Sequence, residues 1–323
     1  MKEIKKLIKL ARYKHKIDIK RGDEKFMDFD WVLQNIVLEI DEVKEEIRVN
    51  NTPHLEDELS DILWGWVILV EKLKDGGYID SHESIFKRAL KKYEERILAL
   101  NGDSGDFDIW QSVKKKQKST LEQESELNRF RDEVREYYKD YYENSDEAHL
   151  IDHADSVCDL ALKINKDYDE KLVILSSYLH DMFNKKDRKN HNKLAYEYVI
   201  NCDDKFLIEL SNEERMLVAH AVLEHRASFK GVYYSKLSEI ISSADRGLPD
   251  LDFIVKRSMK FNNQNADNVY EHIKDKYGTS GYATYPKIYQ DIFSDELHRF
   301  QKLADEITKE QILEICKEEN SGE

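Results

Sequence analysis

A chain of 323 residues is long for one helical core and divides most simply into two domains, each large enough to bury its own interior. Its 51 basic and 66 acidic residues leave a formal charge of −15, which argues against duplex nucleic acid as a general partner, since such binding rests on a dense basic surface. A small phosphate compound escorted by metal cations is compatible with that charge.

The first segment, Met1 to Lys16, is peppered with lysine and lacks the apolar core of an export signal. The longest apolar run, Leu63 to Val70, is far too short to cross a bilayer and continues an amphipathic helical pattern on both sides. No membrane partner is expected, and the expected location is the cytoplasm. Cys158, Cys202 and Cys316 fit no zinc or redox spacing and read as reduced thiols, small and apolar in character. Only 11 Gly and 3 Pro interrupt apolar residues that recur at three- and four-residue spacing, so the expected fold is all-α. Asn101–Asp108, reading NGDSGDFD, is the clearest loop, and the polar, lysine-rich Lys114–Thr120 is a second weak point. The domain boundary is placed there, giving domains at 1–117 and 118–323, with a charged helix from about Leu121 to Tyr142 opening the second.

Two acidic pairs mark the first domain. Glu39 and Glu42 are three residues apart, as are Glu58 and Asp61, and on a helix that spacing puts each pair on one face. Two such helices packed face to face bring four carboxylates together, a hard oxygen set that suits Mg²⁺ or Mn²⁺. The plain alternative is solvated charge on a helix surface. Against it, Glu58 and Asp61 interrupt the apolar residues Leu55, Leu59, Ile62 and Leu63, at the edge of a buried face where a carboxylate needs compensation.

This order, ExxE, a short gap, then ExxD leading into an apolar helix, resembles the MazG family of nucleoside triphosphate pyrophosphohydrolases over roughly residues 1–117. Lys92 and Arg96 in KKYEERI look like the family's phosphate-holding residues, and IWQSVK places Trp110 and Lys114 where the family carries a downstream Trp and Lys. Leu38 stands where many members have a further glutamate; Asp41, Glu45 or Asp57 could fill that place. The resemblance implies water attack on the α-phosphorus, releasing a nucleoside monophosphate and pyrophosphate, with metal at Glu39, Glu42, Glu58 and Asp61. A carboxylate not fully used by metal, Glu42 in this reading, takes the proton. Lys92, Arg96 and Lys114 would counter charge on the leaving group; without the resemblance they are ordinary surface charges. Of Trp31, Trp64, Trp66 and Trp110, only Trp110 is expected to meet substrate, as a stacking face for a base. The family's helices usually complete their bundle with a second chain, which implies a homo-oligomer formed through this domain.

Histidines mark the second domain. Six of the 11, His149, His153, His180, His191, His220 and His225, fall between residues 149 and 225, under a quarter of the chain. Such crowding suggests metal, although a lone helical histidine is usually structural. His180 and Asp181 follow the apolar run LVILSSYL, so a polar pair closes a buried helix. His153 in DHADSV, His180-Asp181 in YLHDMF and Asp245 in SSADRG resemble, in order, the ligand pattern of the HD superfamily of metal-dependent phosphohydrolases, over roughly residues 145–260. Two-metal members often carry additional ligands where His191 and His225 stand. His220 is a ligand, a donor behind the ligands, or merely buried, and His149 is expected to be structural. Mixed imidazole and carboxylate favours a transition metal such as Mn²⁺, Fe²⁺, Ni²⁺ or Zn²⁺, with Asp181 bridging or orienting the nucleophile. Lys185, Lys186, Arg188, Arg226 and Arg246 lie close enough in sequence to reach a phosphate, most of them expected to be plain surface charge. The remainder, including NNQNADN and GTSGYATYPKIY, names no ligand and could cap the second site.

Together these readings describe a two-module nucleotide hydrolase. The first module cuts (d)NTP to (d)NMP and pyrophosphate, and the second hydrolyses a phosphoester of a nucleotide, either an NMP or a (p)ppGpp-like compound. One alternative makes the HD-type domain the sole catalyst, with the MazG-like domain serving dimerisation or nucleotide sensing; another makes the chain a non-catalytic nucleotide-binding regulator.

Overall fold

The computed structural model describes residues 2–143, 150–261 and 265–317. Among them the chain forms fifteen α-helices and no strand, as expected for an all-α protein. His149 and the stretch Asn262–Gln264 of NNQNADN lie outside the described residues. No described helix is long and apolar enough to cross a membrane. The chain divides into two compact units, residues 1–120 and 121–323.

The first unit holds α1 (Lys2–Arg21), α2 (Phe29–Glu46), α3 (Thr52–Asp75), α4 (His82–Ile97) and the start of α5 (Asp106–Tyr142). Local chemistry sets the helix starts. Asp28 caps α2 by accepting from the Asp30 amide, Pro53 occupies the first turn of α3, and Ser81 and Ser84 form a reciprocal capping box on α4. The core is small: Ala11, Val32, Val67 and Ile68, with Trp31, Trp64 and Trp66 packed on it. α2 and α3 approach so closely that a Cβ on Gly65 would lie 2.7 Å from Cγ1 of Ile36. That approach fixes the acidic face of α2 against that of α3.

The expected weak point at Lys114–Thr120 is instead the interior of α5, a correction with a simple cause. The run contains neither Gly nor Pro, and lysine and glutamine are good helix formers, so polarity alone does not end a helix. The loop expected at 101–108 gives way to helix from Asp106.

In the second unit, the C-terminal part of α5 packs with α6 (Ile151–Ile164), α7 (Glu170–Leu179), α8 (His191–Asn201), α9 (Asn212–Glu224) and α10 (Lys236–Arg246) around one large core. α7 is buried on all sides: every residue from Leu172 to Leu179 is buried. At about 1.5–3 kcal/mol for each large apolar side chain removed from water, this helix is the centre of the unit's stability. A smaller core joins α11 (Leu251–Phe261), α12 (Ala266–Tyr277), α14 (Ser294–Glu306) and α15 (Lys309–Lys317), with the short α13 (Lys287–Ile292) beside it.

Candidate metal centres

The carboxylates of the first unit meet across the α2–α3 contact. Glu39, Glu42 and Glu58 each offer an oxygen within 4.8 Å of the others. Burial pushes the Glu39 carboxyl up, and the charges of Glu42 and Asp61 add to it. Glu58 is pushed up in the same way, by desolvation first and then by Glu42, Glu39, Asp57 and Asp61. Asp61 stands outside the group of three, near enough for its charge to be felt. Like charges held this close without a counter-ion destabilise the fold, and a divalent cation is the ordinary remedy. Of the residues considered for the fifth carboxylate, Asp41 is ion-paired with Lys44 at 2.7 Å, whereas Asp57 belongs to the field around Glu58.

The residues expected at the phosphates fall into a second group. The Arg96 guanidinium lies 5.2 Å from the centre of the Trp110 ring and donates through Nε to Gln117 at 2.8 Å. Lys92 lies over the Tyr93 ring, and Lys114 is exposed. Neither Lys92 nor Arg96 forms a hydrogen bond or ion pair with the three glutamates. Trp31, Trp64 and Trp66 are core residues, which leaves Trp110 as the indole outside the core of this unit.

The second centre is built at helix ends. His153 stands in the first turn of α6, His180 caps the C-terminus of α7, His191 opens α8, His225 caps α9, and Asp245 is the penultimate residue of α10. Gly247 follows at φ +69°, a conformation that favours glycine and lets the chain leave α10 soon after Asp245. Three of the histidines use one device. Nδ1–H of His180 donates to the Ser177 carbonyl at 2.7 Å, that of His191 to Arg188 at 2.9 Å, and that of His225 to Val222 at 2.7 Å. For His180 and His225 these are last-turn carbonyls that a helix leaves without partners. Each bond turns its ring so that Nε2 points inward, the orientation a metal ligand requires.

Those nitrogens gather around Asp181. Its Oδ2 faces His153 Nε2 at 3.8 Å and His180 Nε2 at 3.5 Å, while Asp245 Oδ1 lies 3.1 Å from His153 and 3.7 Å from His180. Its Oδ1 faces His191 at 3.0 Å and His225 at 3.3 Å, and the Nε2 atoms of these two histidines are 3.1 Å apart. Ligand atoms bound to one cation at about 2.0–2.2 Å are themselves about 3–3.5 Å apart; the Asp181, His191 and His225 set has that spacing, and the other set spans it and runs slightly wider, to 3.8 Å. The Nε2 of His180 is buried with no hydrogen-bond partner. Burial would raise the Asp181 carboxyl, but His180, His191 and His225 reverse this and hold it well below the usual carboxylate range. Asp245 is held down in the same way by His153 and His180. Burial opposes charge on His180 too, yet Asp181 and Asp245 outweigh it and push the imidazole up to about 9.

His220, read as a ligand, a donor behind the ligands or merely buried, belongs to neither set. Its ring stacks on Tyr234 at 4.0 Å and its Nδ1 lies 3.2 Å from Glu224, so it serves the packing of α9. Sequence reasoning missed Arg257, His272, Lys276 and Tyr277, which line the cavity beside the second centre. They sit on ordinary amphipathic helices, and no motif singles them out.

Residues 28–98 match the family model of the MazG nucleotide pyrophosphohydrolase domain, a span that contains Glu39, Glu42, Glu58, Asp61, Lys92 and Arg96. No curated protein and no solved structure matches the chain. The first unit is thus similar to a helical, metal-dependent family of hydrolases that act on nucleoside triphosphates.

Proposed function

We propose that the chain is a two-site nucleotide hydrolase in which the first unit cleaves (d)NTP to (d)NMP and pyrophosphate and the second is an HD-type phosphohydrolase acting on a phosphoester of a nucleotide. For the first unit the support is the family match joined to the convergence of Glu39, Glu42 and Glu58. These three, with Asp61 close by, would hold Mg²⁺ or Mn²⁺, which when bound neutralises the triphosphate and acidifies water. Glu42, the exposed member, is suited to take the proton, and Arg96 and Lys92 to meet the departing pyrophosphate.

For the second unit one observation carries the reading. The Nε2 atoms of His191 and His225 and the Oδ1 of Asp181 face one another at 3.0–3.3 Å, and bonds at Nδ1 turn both rings so that Nε2 points inward. Such a group suits a cation. His153, His180, Asp181 and Asp245 would hold one ion and Asp181, His191 and His225 another, with Asp181 shared. The mixed nitrogen and oxygen set favours Mn²⁺, Fe²⁺, Ni²⁺ or Zn²⁺, and such ions when bound supply Lewis acidity at a phosphoester. Asp181, common to both sets, would bridge the two positions or orient the nucleophile.

The exposed apolar side chains Phe86, Leu90 and Ile97 on α4, and Leu33, Val37 and Ile40 on α2, support a homo-oligomer formed through the first unit. The test is product analysis on a panel of NTPs, dNTPs and nucleotide phosphoesters. Asp61→Ala or Glu42→Ala removes pyrophosphate release alone, and His180→Ala removes orthophosphate release alone. Orthophosphate release that survives in Asp61→Ala, with no pyrophosphate from wild type, would leave the second site as the sole catalyst and the first unit as a dimerisation module.

A further inference from the structure

The second centre opens into a cavity of about 520 Å³, a volume suited to a nucleotide. Asp181, His191, His225 and Asp245 line it at the candidate metal positions, and Tyr282 and Tyr285 line it from the segment that follows α12. The backbone of that segment is held on both sides. The amides of Tyr282 and Ala283 donate to the carbonyls of Asp275 and Lys276, in the last turn of α12, at 3.0 and 3.1 Å. The Thr284 amide donates to the Ala227 carbonyl at 2.9 Å, the Thr284 carbonyl accepts from Arg246 Nε at 2.6 Å, and the Tyr285 carbonyl accepts from Gln290 at 2.7 Å. Ala227 stands two residues beyond His225, and Arg246 directly follows Asp245. The same bonds therefore register the two tyrosines against the chain that carries the ligands.

The side chains of these tyrosines are less fully used than their backbone. The Tyr285 ring packs against Tyr289 at 5.4 Å, but its hydroxyl oxygen is buried and has no hydrogen-bond partner. Burial pushes the phenol up, so the oxygen keeps its proton at neutral pH and has a donor to offer. A hydroxyl shut away from water without a partner is costly, and the cost is removed when a bound molecule supplies an acceptor. Tyr282 is 47% exposed, and its ring meets no other ring among the described residues. A phosphate is met by metal and by cations, whereas an open aromatic face beside a neutral donor suits a flat heterocycle with acceptors on its edge.

We propose that Tyr282 and Tyr285 form a nucleoside subsite for the second centre, in which the base of the substrate stacks on the Tyr282 ring and an oxygen or nitrogen of the nucleoside accepts from the Tyr285 hydroxyl. The proposal rests on the phosphohydrolase reading of this centre and concerns the part of the substrate that is not cleaved. A phosphorylated sugar without a base leaves both groups unanswered, so this wall selects nucleotides among phosphoesters.

The experiment uses the full chain carrying Glu58→Gln, which silences the first site, with Mn²⁺. Orthophosphate release is compared for the 5′-monophosphates and 3′,5′-bisphosphates of adenosine, guanosine, cytidine and uridine, with ribose 5-phosphate as the base-free control. The best nucleotide should exceed ribose 5-phosphate in kcat/KM by about 10- to 100-fold, the usual worth of stacking one base on an aromatic ring. Tyr282→Ala should raise KM for that nucleotide by about 10-fold or more with kcat unchanged, and Tyr282→Phe, which keeps the ring, should restore it. Tyr285→Phe, which removes only the hydroxyl oxygen, should raise KM by about 3- to 10-fold. Neither change threatens the fold, since the first ring is half exposed and the second keeps its shape. Ribose 5-phosphate cleaved as well as any nucleotide, or KM unmoved in Tyr282→Ala or in Tyr285→Phe, overturns the proposal. Failure of the underlying reading looks different: neither the nucleotides nor ribose 5-phosphate release orthophosphate. Calorimetric binding of the four 5′-monophosphates then decides, with binding that weakens in Tyr282→Ala and Tyr285→Phe sustaining the subsite and binding indifferent to them ending it.

Discussion

Three imidazoles of the second centre, those of His180, His191 and His225, are aimed by their own backbone. Because Nδ1 of His180 is committed to the Ser177 carbonyl, the free nitrogen has one direction available. His180→Ala should therefore strip metal from this site and lower its turnover at least ~100-fold, since even partners that merely orient ligands are worth 10–100-fold; elemental analysis and orthophosphate release measure the two. The first site makes a different demand. Glu39 and Glu58 hold protons in the fold more tightly than the ordinary glutamate value of 4.5. A carboxyl whose folded pKa is raised is neutral on both sides of folding below its unfolded value. Above it the unfolded chain releases the proton first, so stability falls as pH climbs from about 4.5 through the raised folded values. Thermal melts of the metal-free protein should show this fall, Mn²⁺ should reverse it at neutral pH, and Glu58→Gln should flatten it while abolishing pyrophosphate release. A metal-free melting temperature that does not change with pH or with Glu58→Gln would contradict the crowding of charge at this site.

At the scale of helices, the first site depends on how closely α2 and α3 approach. Gly65 permits that approach, and a side chain there meets Ile36. Gly65→Val should cost about 1–3 kcal/mol through overpacking, offset by a few tenths from helix propensity, and should reduce pyrophosphate release by separating Glu39 from Glu58. A melt and a pyrophosphate assay test it; an unchanged melting temperature would mean that the helices pack more loosely than the structure has them. Much at this scale was legible in sequence. The periodic apolar residues and the scarcity of Gly and Pro announce helices, and the ExxE and ExxD spacings put acid on facing helices. Lys114–Thr120 departs from expectation because a polar run that lacks Gly and Pro leaves the backbone free to continue as helix. Proximity in sequence does not choose among the roles open to His220, whose ring faces Tyr234.

For the molecule as a whole, the two centres lie in separate compact units and draw on separate ligands. Knockouts should accordingly be independent, with each single variant retaining the other activity to within about twofold and their effects adding in free energy. The apolar faces left open on α2 and α4 predict a first unit that pairs with a copy of itself. Leu90→Glu should shift the mass measured by light scattering towards the monomer, whereas an unshifted oligomer would mean that another surface mediates assembly. The C-terminal lining of the cavity was hidden from sequence for a reason of the same scale. Arg257 and Lys276 are unremarkable charges on helices with no motif, and the folding of the second unit is what brings them to the cavity. The histidines were legible because adjacent and ordered ligands leave a trace in sequence, and charges gathered from distant helices leave none. The central claim, two independent metal-dependent hydrolytic sites in one chain, is tested most directly by mass analysis of the products from wild type, Glu58→Gln and His180→Ala with Mn²⁺. The account predicts that Glu58→Gln loses pyrophosphate from NTP and keeps orthophosphate from a nucleotide phosphoester, and that His180→Ala does the reverse. Loss of both products in either variant, or of neither, would contradict it.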